Sequence, residues 1–209
     1  AQVFETRAAH AILVDADTDT VLFQHDADVR TPPASMAKLM TMAVVFDALK
    51  AGKLKLDDQF VVSENAWRNG GAKSGGSTMF AKLGSSISVE DLIHAIIIQS
   101  ANDGCIIMAE GMAGTEATFA NMMNAEARKM GLTASHFTNS TGLPDPDQYV
   151  TVRDLATLAK HLIYDFPEFY PVYSQTEFTW NKIRQRNRNP LLEMGIGADG
   201  LKTGFTEES

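Results

Sequence analysis

Short apolar runs near the two ends of the chain predict β-strands. Ala11–Val14 and Val21–Gln24 are two such runs, and the segment Asp15–Thr20 between them is rich in Asp and Thr, which favour turns. Their spacing predicts an antiparallel hairpin. Two further strands are predicted near the other end of the chain, at Glu177–Trp180 and Leu201–Phe205.

Helical patterns occupy the middle of the chain. The first predicted helix is apolar on nearly every side, which is typical of a central, buried helix. Ser88 is expected to cap the second, because Asp91 follows three residues later as in a capping box. The predicted helices are Ser35 to about Lys50, Val89–Ile98, a segment from the break at Ser100–Asn102 towards Met112, Thr115–Met130 and Thr151 to about Phe166.

The order of elements, strands and then helices and then strands, predicts an α+β domain. In this arrangement both chain ends build one antiparallel sheet, and residues of roughly 63–175 form a helical lobe. We expect residues 1–209 to form one catalytic domain. Two glycine-rich stretches between residues 68 and 76 predict a flexible loop.

Composition limits the classes of partner. The net charge of −8 argues against nucleic acid or an anionic membrane surface as the main partner. No apolar run approaches the roughly 18 residues of a membrane-spanning helix, and we expect no membrane anchor in this chain. The residues after Ala1 do not resemble a signal peptide, which leaves a cytosolic and a mature exported protein open. The single cysteine, Cys105, excludes an internal disulfide and is expected to be a buried thiol.

The segment Ser35–Lys38 is the first candidate for chemistry. Residues three apart on a helix share a face, so the Ser35 hydroxyl and the Lys38 amine can approach hydrogen-bonding distance. A buried lysine whose pKa is lowered can take the proton of a serine and activate it as a nucleophile. The simpler interpretation, a cap serine beside a solvated lysine, does not explain why Lys38 belongs to an almost wholly apolar helix.

Two further motifs follow in the chain. Ser100 and Asn102 lie at the predicted break between two helices, where a helix cap is the simpler interpretation. Lys202, Thr203 and Gly204 lie in a predicted strand, and a glycine in a strand often marks a close approach of a ligand or of another backbone. The order S-x-x-K, S-x-N, K-T-G resembles that of β-lactamases and penicillin-binding proteins.

The resemblance extends over essentially the whole chain and is closest to the serine-type D-alanyl-D-alanine carboxypeptidases, the low-molecular-mass penicillin-binding proteins. It implies the β-lactamase/transpeptidase-like fold. It also implies a bacterial protein of the periplasm, or of the extracytoplasmic face of the inner membrane, that acts on peptidoglycan. The segments that carry it are Thr31–Thr41, Ser88–Leu92, Gln99–Asp103, Thr141–Leu143, Asn187–Asn189 and Asp199–Gly204.

The resemblance also implies a mechanism. Ser35 would attack the carbonyl between the two terminal D-alanines of a stem peptide, and Lys38 would accept its proton. Ser100 would relay a proton to the departing amine, and Asn102 would hold Lys38 and the acyl side chain. Penicillins would mimic the D-Ala-D-Ala end and form a slowly hydrolysed adduct on Ser35. The substrate carboxylate would face Lys202 and Thr203 beside Gly204, with the N–H groups of Ser35 and Phe205 as the oxyanion hole.

Some positions leave alternatives open. Arg188 is either a further contact of the substrate carboxylate or a solvated surface arginine.

None of the five histidines, His10, His25, His94, His136 and His161, is spaced as a metal ligand, so no metal or other cofactor is expected. Relatives continue beyond the K-T-G motif with further strands, so the sheet is expected to lack its C-terminal strands in this chain.

Other functions use similar residues. A DD-endopeptidase acting on peptide cross-links would have the same motifs. A class A β-lactamase would need a Glu-x-x-x-Asn loop, which Glu177–Asn181 matches in letters but in a strand-like segment and with Ala101 in place of the usual Asp. A non-catalytic β-lactam sensor or peptidoglycan-binding domain would not need an activated nucleophile.

Overall fold

The computed structural model describes residues 4–207, which form a mixed α+β fold. Two strands come first in the chain, α-helices and two short strands occupy the middle, and two strands follow. The 3-10 turns occur at Ala34–Met36, Ala72–Ser74, Tyr170–Ser174 and Pro190–Glu193. The elements are β1 (Ala11–Asp15), β2 (Thr20–His25), α1 (Ala37–Lys50), β3 (Gln59–Val61), α2 (Glu64–Asn69), β4 (Ser86–Ser88), α3 (Val89–Gln99), α4 (Asn102–Ala113), α5 (Glu116–Lys129), α6 (Val152–Asp165), β5 (Glu177–Trp180) and β6 (Ile183–Arg186).

Local capping sets the start of three helices, as the sequence predicts. The Ser88 hydroxyl accepts the backbone N–H of Asp91 at the start of α3. Thr115 caps α5 and Thr151 caps α6 in the same way, each through the N–H three residues later. Each cap satisfies a backbone donor that the helix itself leaves unpaired. The predicted helices are therefore confirmed, with differences of one or two residues at their ends.

The strands pair as three antiparallel hairpin-like ribbons, β1 with β2, β3 with β4 and β5 with β6. The predicted strands at Ala11–Val14, Val21–Gln24 and Glu177–Trp180 are confirmed as β1, β2 and β5, but the strands of the two chain ends do not share one sheet within residues 4–207. The β1–β2 hairpin packs on α6, whereas β5–β6 packs on α3. Leu201–Phe205, predicted as a strand, pairs with no other strand of residues 4–207, so that prediction is wrong for this part of the chain.

Helix α1 forms the centre of the core. All ten residues of Ala37–Phe46 are buried, and the helix packs against α3, α5 and α6. A helix enclosed on all sides needs apolar residues on all sides, which explains its lack of an amphipathic pattern. Burial of each large side chain contributes about 1.5–3 kcal/mol. Lys38 and Thr41 are the polar members of this stretch, so both require partners inside the protein.

None of the helices within residues 4–207 is long and apolar enough to cross a membrane.

Candidate active site

Ser35 lies in the 3-10 turn that leads into α1, and its side chain is half-buried. The expected α-helix therefore begins two residues later than predicted, but a 3-10 turn also places residues three apart on one face. The turn is pressed against Gly142, whose φ is +83°. A Cβ on Gly142 would lie 1.8 Å from the carbonyl oxygen of Ala34, so only glycine allows this backbone approach.

Lys38 is almost completely enclosed, with 1% of its surface exposed. Its Nζ lies 3.1 Å from Ser35 Oγ, 2.9 Å from Asn102 Oδ1 and 2.7 Å from the carbonyl oxygen of Thr141. The pKa of Lys38 is lowered from 10.5 to about 8, chiefly by burial; Cys105 opposes this shift, and the nearby charge of Arg188 adds to it. The amine therefore loses its proton far more readily than an exposed lysine does.

The three acceptors around Lys38 fit both of its protonation states. A protonated ammonium has three donors and can donate to all three oxygens. A neutral amine donates to two of them, Asn102 Oδ1 and the Thr141 carbonyl, and has its lone pair left for the hydroxyl proton of Ser35. Lys38 can thus take that proton without any rearrangement of its neighbours, which is what a general base needs.

Asp103, next to Asn102 at the start of α4, was not singled out by the sequence analysis. It is fully buried, and its carboxylate accepts hydrogen bonds from Thr78 Oγ and from the backbone N–H groups of Met79, Ala81 and Gly104. Its own N–H donates to Gly70 O. The segment of residues 70–81 is therefore fastened to α4 at Gly70 and over residues 77–81, and the flexible loop that its glycines predict stays a prediction for the residues between these anchors.

The same segment places Asn102. The backbone N–H of Asn102 donates to the carbonyl of Ser77, and a Cβ on Gly76 would lie 2.8 Å from Asn102 Nδ2. The glycine lets the loop approach the amide closely. Sequence alone pointed to Asn102 as a lysine partner, and the structure brings the two residues together across 64 positions of the chain.

Ser100 occupies the break between α3 and α4 with a left-handed backbone, φ 56° and ψ 40°. This conformation is strained for a residue with a Cβ and concentrates at functional sites. Its side chain is 3% exposed, and within residues 4–207 its Oγ has no hydrogen-bond partner. A buried hydroxyl without a partner has both a donor and an acceptor to offer to a ligand.

The K-T-G segment passes beside the nucleophile turn. A Cβ on Gly204 would lie 3.3 Å from the Cβ of Ala34 and from the backbone N of Met36. Lys202 is half-buried and its Nζ donates to the carbonyl of Thr203. Burial and then the charge of Lys38 lower the pKa of Lys202 to about 7. The Phe205 ring is 83% exposed, so its side chain contributes little to the site.

Arg188 is exposed but is not a solvated arginine without partners. Its Nη1 donates to Ser77 Oγ over 2.7 Å. Gln185 on β6 donates to the carbonyl of Thr78 and to Gln99 Oε1. The end of β6 is therefore joined to the residue 70–81 segment, which in turn holds Asn102.

Sequence comparison identifies the family. The profile of the D-alanyl-D-alanine carboxypeptidase family, peptidase S11, matches residues 1–209. The chain belongs to this family. It is 47% identical over 197 residues to the D-alanyl-D-alanine carboxypeptidase DacC of Escherichia coli, an alignment that covers 93% of this chain and 49% of that protein. The chain thus spans about half the length of the curated relatives it matches.

Solved structures of the peptidase S11 relatives have the same fold. Penicillin binding protein 5 of Haemophilus influenzae superposes with a TM-score of 0.94 at 39% identity, over 99% of this chain and 60% of that one. Penicillin-Binding Protein D2 of Listeria monocytogenes, solved in an ampicillin-bound form, superposes with a TM-score of 0.81 at 29% identity, over 100% and 83%. The predicted β-lactamase/transpeptidase-like fold is confirmed.

The match of Glu177–Asn181 to a β-lactamase loop is not supported. Glu177 lies in β5, where its carboxylate pairs with the guanidinium of Arg184 in the β5–β6 ribbon. Both side chains are largely exposed. A carboxylate that is engaged on an exposed strand is not free to activate a water molecule.

Proposed function

We propose that this protein is a serine DD-carboxypeptidase that removes the terminal D-alanine from peptidoglycan stem peptides. The observation that carries the proposal is the position of Lys38, a buried amine with a lowered pKa 3.1 Å from the Ser35 hydroxyl. Family membership names the reaction class, since the matched family is that of the D-alanyl-D-alanine carboxypeptidases.

Acylation begins with neutral Lys38. The amine takes the hydroxyl proton of Ser35 as Oγ attacks the carbonyl carbon between the two terminal D-alanines. The negative charge on the carbonyl oxygen is stabilised by the N–H groups of Ser35 and Phe205. When the C–N bond breaks, the proton passes from Lys38 through the Ser100 hydroxyl to the departing nitrogen. Free D-alanine and an ester on Ser35 result.

Deacylation uses the same groups in the reverse sense. A water molecule gives its proton to the site's base and attacks the ester carbonyl, which releases the shortened peptide and restores Ser35. Asn102 holds Lys38 in place through Oδ1 and has its Nδ2 available for the acyl chain. Lys202, Thr203 and Arg188 bind the terminal carboxylate through charge-assisted hydrogen bonds, beside the close approach at Gly204.

Penicillins react at the same serine in this proposal. Their ring amide is opened by Ser35, but the amine remains tethered, so the adduct is hydrolysed slowly. The ampicillin-bound form of a relative supports this class of ligand. The relevant compartment is the extracytoplasmic side of a bacterial cell, where peptidoglycan stem peptides occur. We further propose that residues 1–209 act as one catalytic domain with residues of roughly 63–175 as its helical lobe.

Mass spectrometry after incubation with penicillin tests the nucleophile. We expect one adduct on Ser35, its absence in Ser35→Ala, and its retention in the matched control Ser86→Ala, which changes an exposed serine of β4. An unmodified wild-type protein would contradict the mechanism. Rapid return to the unmodified mass would instead favour a β-lactamase.

A second assay separates the carboxypeptidase from the endopeptidase alternative, which uses the same side chains. The protein is incubated with a pentapeptide that ends in D-Ala-D-Ala and with a cross-linked dimer of stem peptides. We expect release of D-alanine from the pentapeptide and little cleavage of the dimer. Preferential cleavage of the dimer would identify an endopeptidase.

A further inference from the structure

A groove lies beside the end of β6 and is separate from the Ser35–Lys38 pair. We call it the β6 groove; its lining residues are Thr176, Arg186, Asn187, Arg188, Asn189, Pro190, Leu192 and Glu193. Only Arg188 has been assigned a role above. The groove therefore offers a second set of polar side chains at the rim of the proposed active site.

The floor of the β6 groove is rigidly held. The side chain of Asn187 donates to the carbonyls of Tyr173 and Gln175 and accepts the N–H of Asn189. Asn189 is buried; it donates to the carbonyl of Gly200 and accepts the N–H of Leu191. The two amides are used to fix the backbone, so the neighbouring arginines are presented from a preorganised loop.

The two arginines of the groove are not neutralised. Within residues 4–207, neither Arg186 nor Arg188 has a carboxylate within ion-pair distance. Arg184, two residues earlier in β6, forms an ion pair with Glu177. The side chain of Arg186 has no hydrogen-bond partner among the described residues, and all five of its guanidinium N–H donors are available. Two neighbouring guanidinium groups without a carboxylate partner suit an anionic ligand.

The β6 groove is continuous with the catalytic residues through direct contacts. Arg188 donates to Ser77 Oγ, and the carbonyl of Ser77 accepts the N–H of Asn102. Asn102 in turn contacts Lys38, which contacts Ser35. A peptide acylated on Ser35 and running past Asn102 would therefore have the groove within reach of a long side chain.

The groove also contains one acidic side chain, that of Glu193, which forms no ion pair within residues 4–207. An amino-acid head group, with its carboxylate and ammonium on one carbon, satisfies both signs. We propose that the β6 groove binds such an amino-acid head group at the end of a side chain of the stem peptide, ahead of the two D-alanines. Arg186 binds its carboxylate in a bidentate manner, and Glu193 accepts its ammonium. This inference rests on the proposed function, since the stem peptide is its ligand.

A matched pair of peptides tests the proposal. N-acetyl-X-D-Ala-D-Ala is prepared with X as 2,6-diaminopimelate, whose side chain ends in an amino-acid head group, and with X as L-lysine, which lacks the second carboxylate. D-alanine release is measured for the wild-type protein, for Arg186→Gln and for the control Arg68→Gln, which removes an exposed arginine that is paired with Glu64 on α2. KM and kcat are determined separately.

We expect the wild-type protein to have a KM about tenfold lower for the diaminopimelate peptide, as the loss of one charge-assisted contact predicts. Arg186→Gln should raise that KM to the level of the lysine peptide and leave kcat unchanged, whereas Arg68→Gln should retain the preference. Acetylation of the side-chain amine of diaminopimelate should weaken binding in the wild-type protein but not in Glu193→Gln.

Two results would overturn the inference and leave the proposed function intact. One is equal KM for both peptides in the wild-type protein; the other is an equal loss of preference in Arg68→Gln and Arg186→Gln, which would reflect general surface charge. Failure to release D-alanine from either peptide would instead contradict the proposed function itself.

Discussion

The buried amine of Lys38 should make the stability of the protein rise with pH, and the variant Lys38→Met isolates that effect. In the unfolded chain the pKa of Lys38 has its ordinary value of 10.5, whereas burial lowers it to about 8 in the folded protein. At about 1.36 kcal/mol per pKa unit, the difference disfavours the charged folded form by about 3 kcal/mol. Methionine has a similar length and no charge to bury.

The sign follows from the protons bound in each state. Below about pH 8 both states carry the proton, so the full cost of burial is present. Between about pH 8 and pH 10.5 the folded protein has released the proton and the unfolded chain has kept it, so stability rises with pH in this window. About 1.3 kcal/mol of the effect should develop between pH 7 and pH 9, equivalent to about 3–5 °C in Tm for a chain of this size.

The measurement is urea unfolding of the wild-type protein and of Lys38→Met at pH 7, 8 and 9. The free energy of unfolding of the wild-type protein, relative to that of the variant, should increase by about 1.3 kcal/mol over this range. Because the charge of Lys38 also lowers the pKa of Lys202, the comparison is repeated in a Lys202→Met background. The reasoning would be refuted if the free energy of unfolding changed with pH in the same way in the wild-type protein and in Lys38→Met.

The pKa of Lys38 should also set the pH dependence of the acylation rate. If neutral Lys38 is the base, the rate of acylation by a fluorescent penicillin increases with pH and levels off above about pH 8. Agreement between the kinetic midpoint and the pH window of stability would assign both effects to one group. A rate that is independent of pH from 6 to 9 would exclude Lys38 as the titrating base.

Three further substitutions give expected outcomes. Gly142→Ala should lower the free energy of unfolding by about 2–4 kcal/mol and slow penicillin acylation, since its Cβ would meet Ala34 O. The control Gly131→Ala, at a glycine with φ +79° and open space around it, should lower the free energy of unfolding by only about 1 kcal/mol. Equal losses for the two variants in urea unfolding would contradict this. Asp103→Asn replaces an oxygen that accepts two buried donors with an amide NH₂ and should lower stability by about 1–3 kcal/mol, and an unchanged Tm in calorimetry would refute the anchoring role. Tyr173→Phe removes a buried hydroxyl that has no partner within residues 4–207 and should be neutral or stabilising by about 1 kcal/mol in the same assay; a large loss would reveal a partner.

Local features were readable from the sequence because their causes are local. Ser88 and Asp91 predict the start of α3 since a cap bond spans only three residues. The lack of a polar face on α1 predicts its central position for a similar reason, because a helix that is buried on all sides has apolar residues on all sides. The strand prediction at Leu201–Phe205 failed since a strand needs a hydrogen-bonded neighbour, and no such neighbour lies within residues 4–207.

The glycine-rich segment shows the opposite limit. Its composition is typical of a flexible loop, but three of its donors, on Thr78, Met79 and Ala81, bind the carboxylate of Asp103 and fasten that end of the segment to α4. Nothing in the local pattern distinguishes an acid at a helix start that faces solvent from one that anchors a distant loop. The position of Arg186 in the β6 groove is equally hard to predict. In the sequence, Arg184, Arg186 and Arg188 form an alternating series, and nothing in that series indicates which arginine has an ion-pair partner.

The sequence by itself determined which residue types could perform the chemistry, through the three motifs of Ser35, Ser100 and Lys202 and their order in the chain. Only the tertiary structure decided the state of Lys38. Its lowered pKa arises from enclosure by α1 and its neighbours, and its lone pair is directed at Ser35 because Asn102 and the Thr141 carbonyl, 64 and 103 residues away, occupy its other donors. Desolvation and long-range hydrogen bonds depend on what surrounds a residue in space, and a spacing of three residues along the chain cannot specify that surrounding.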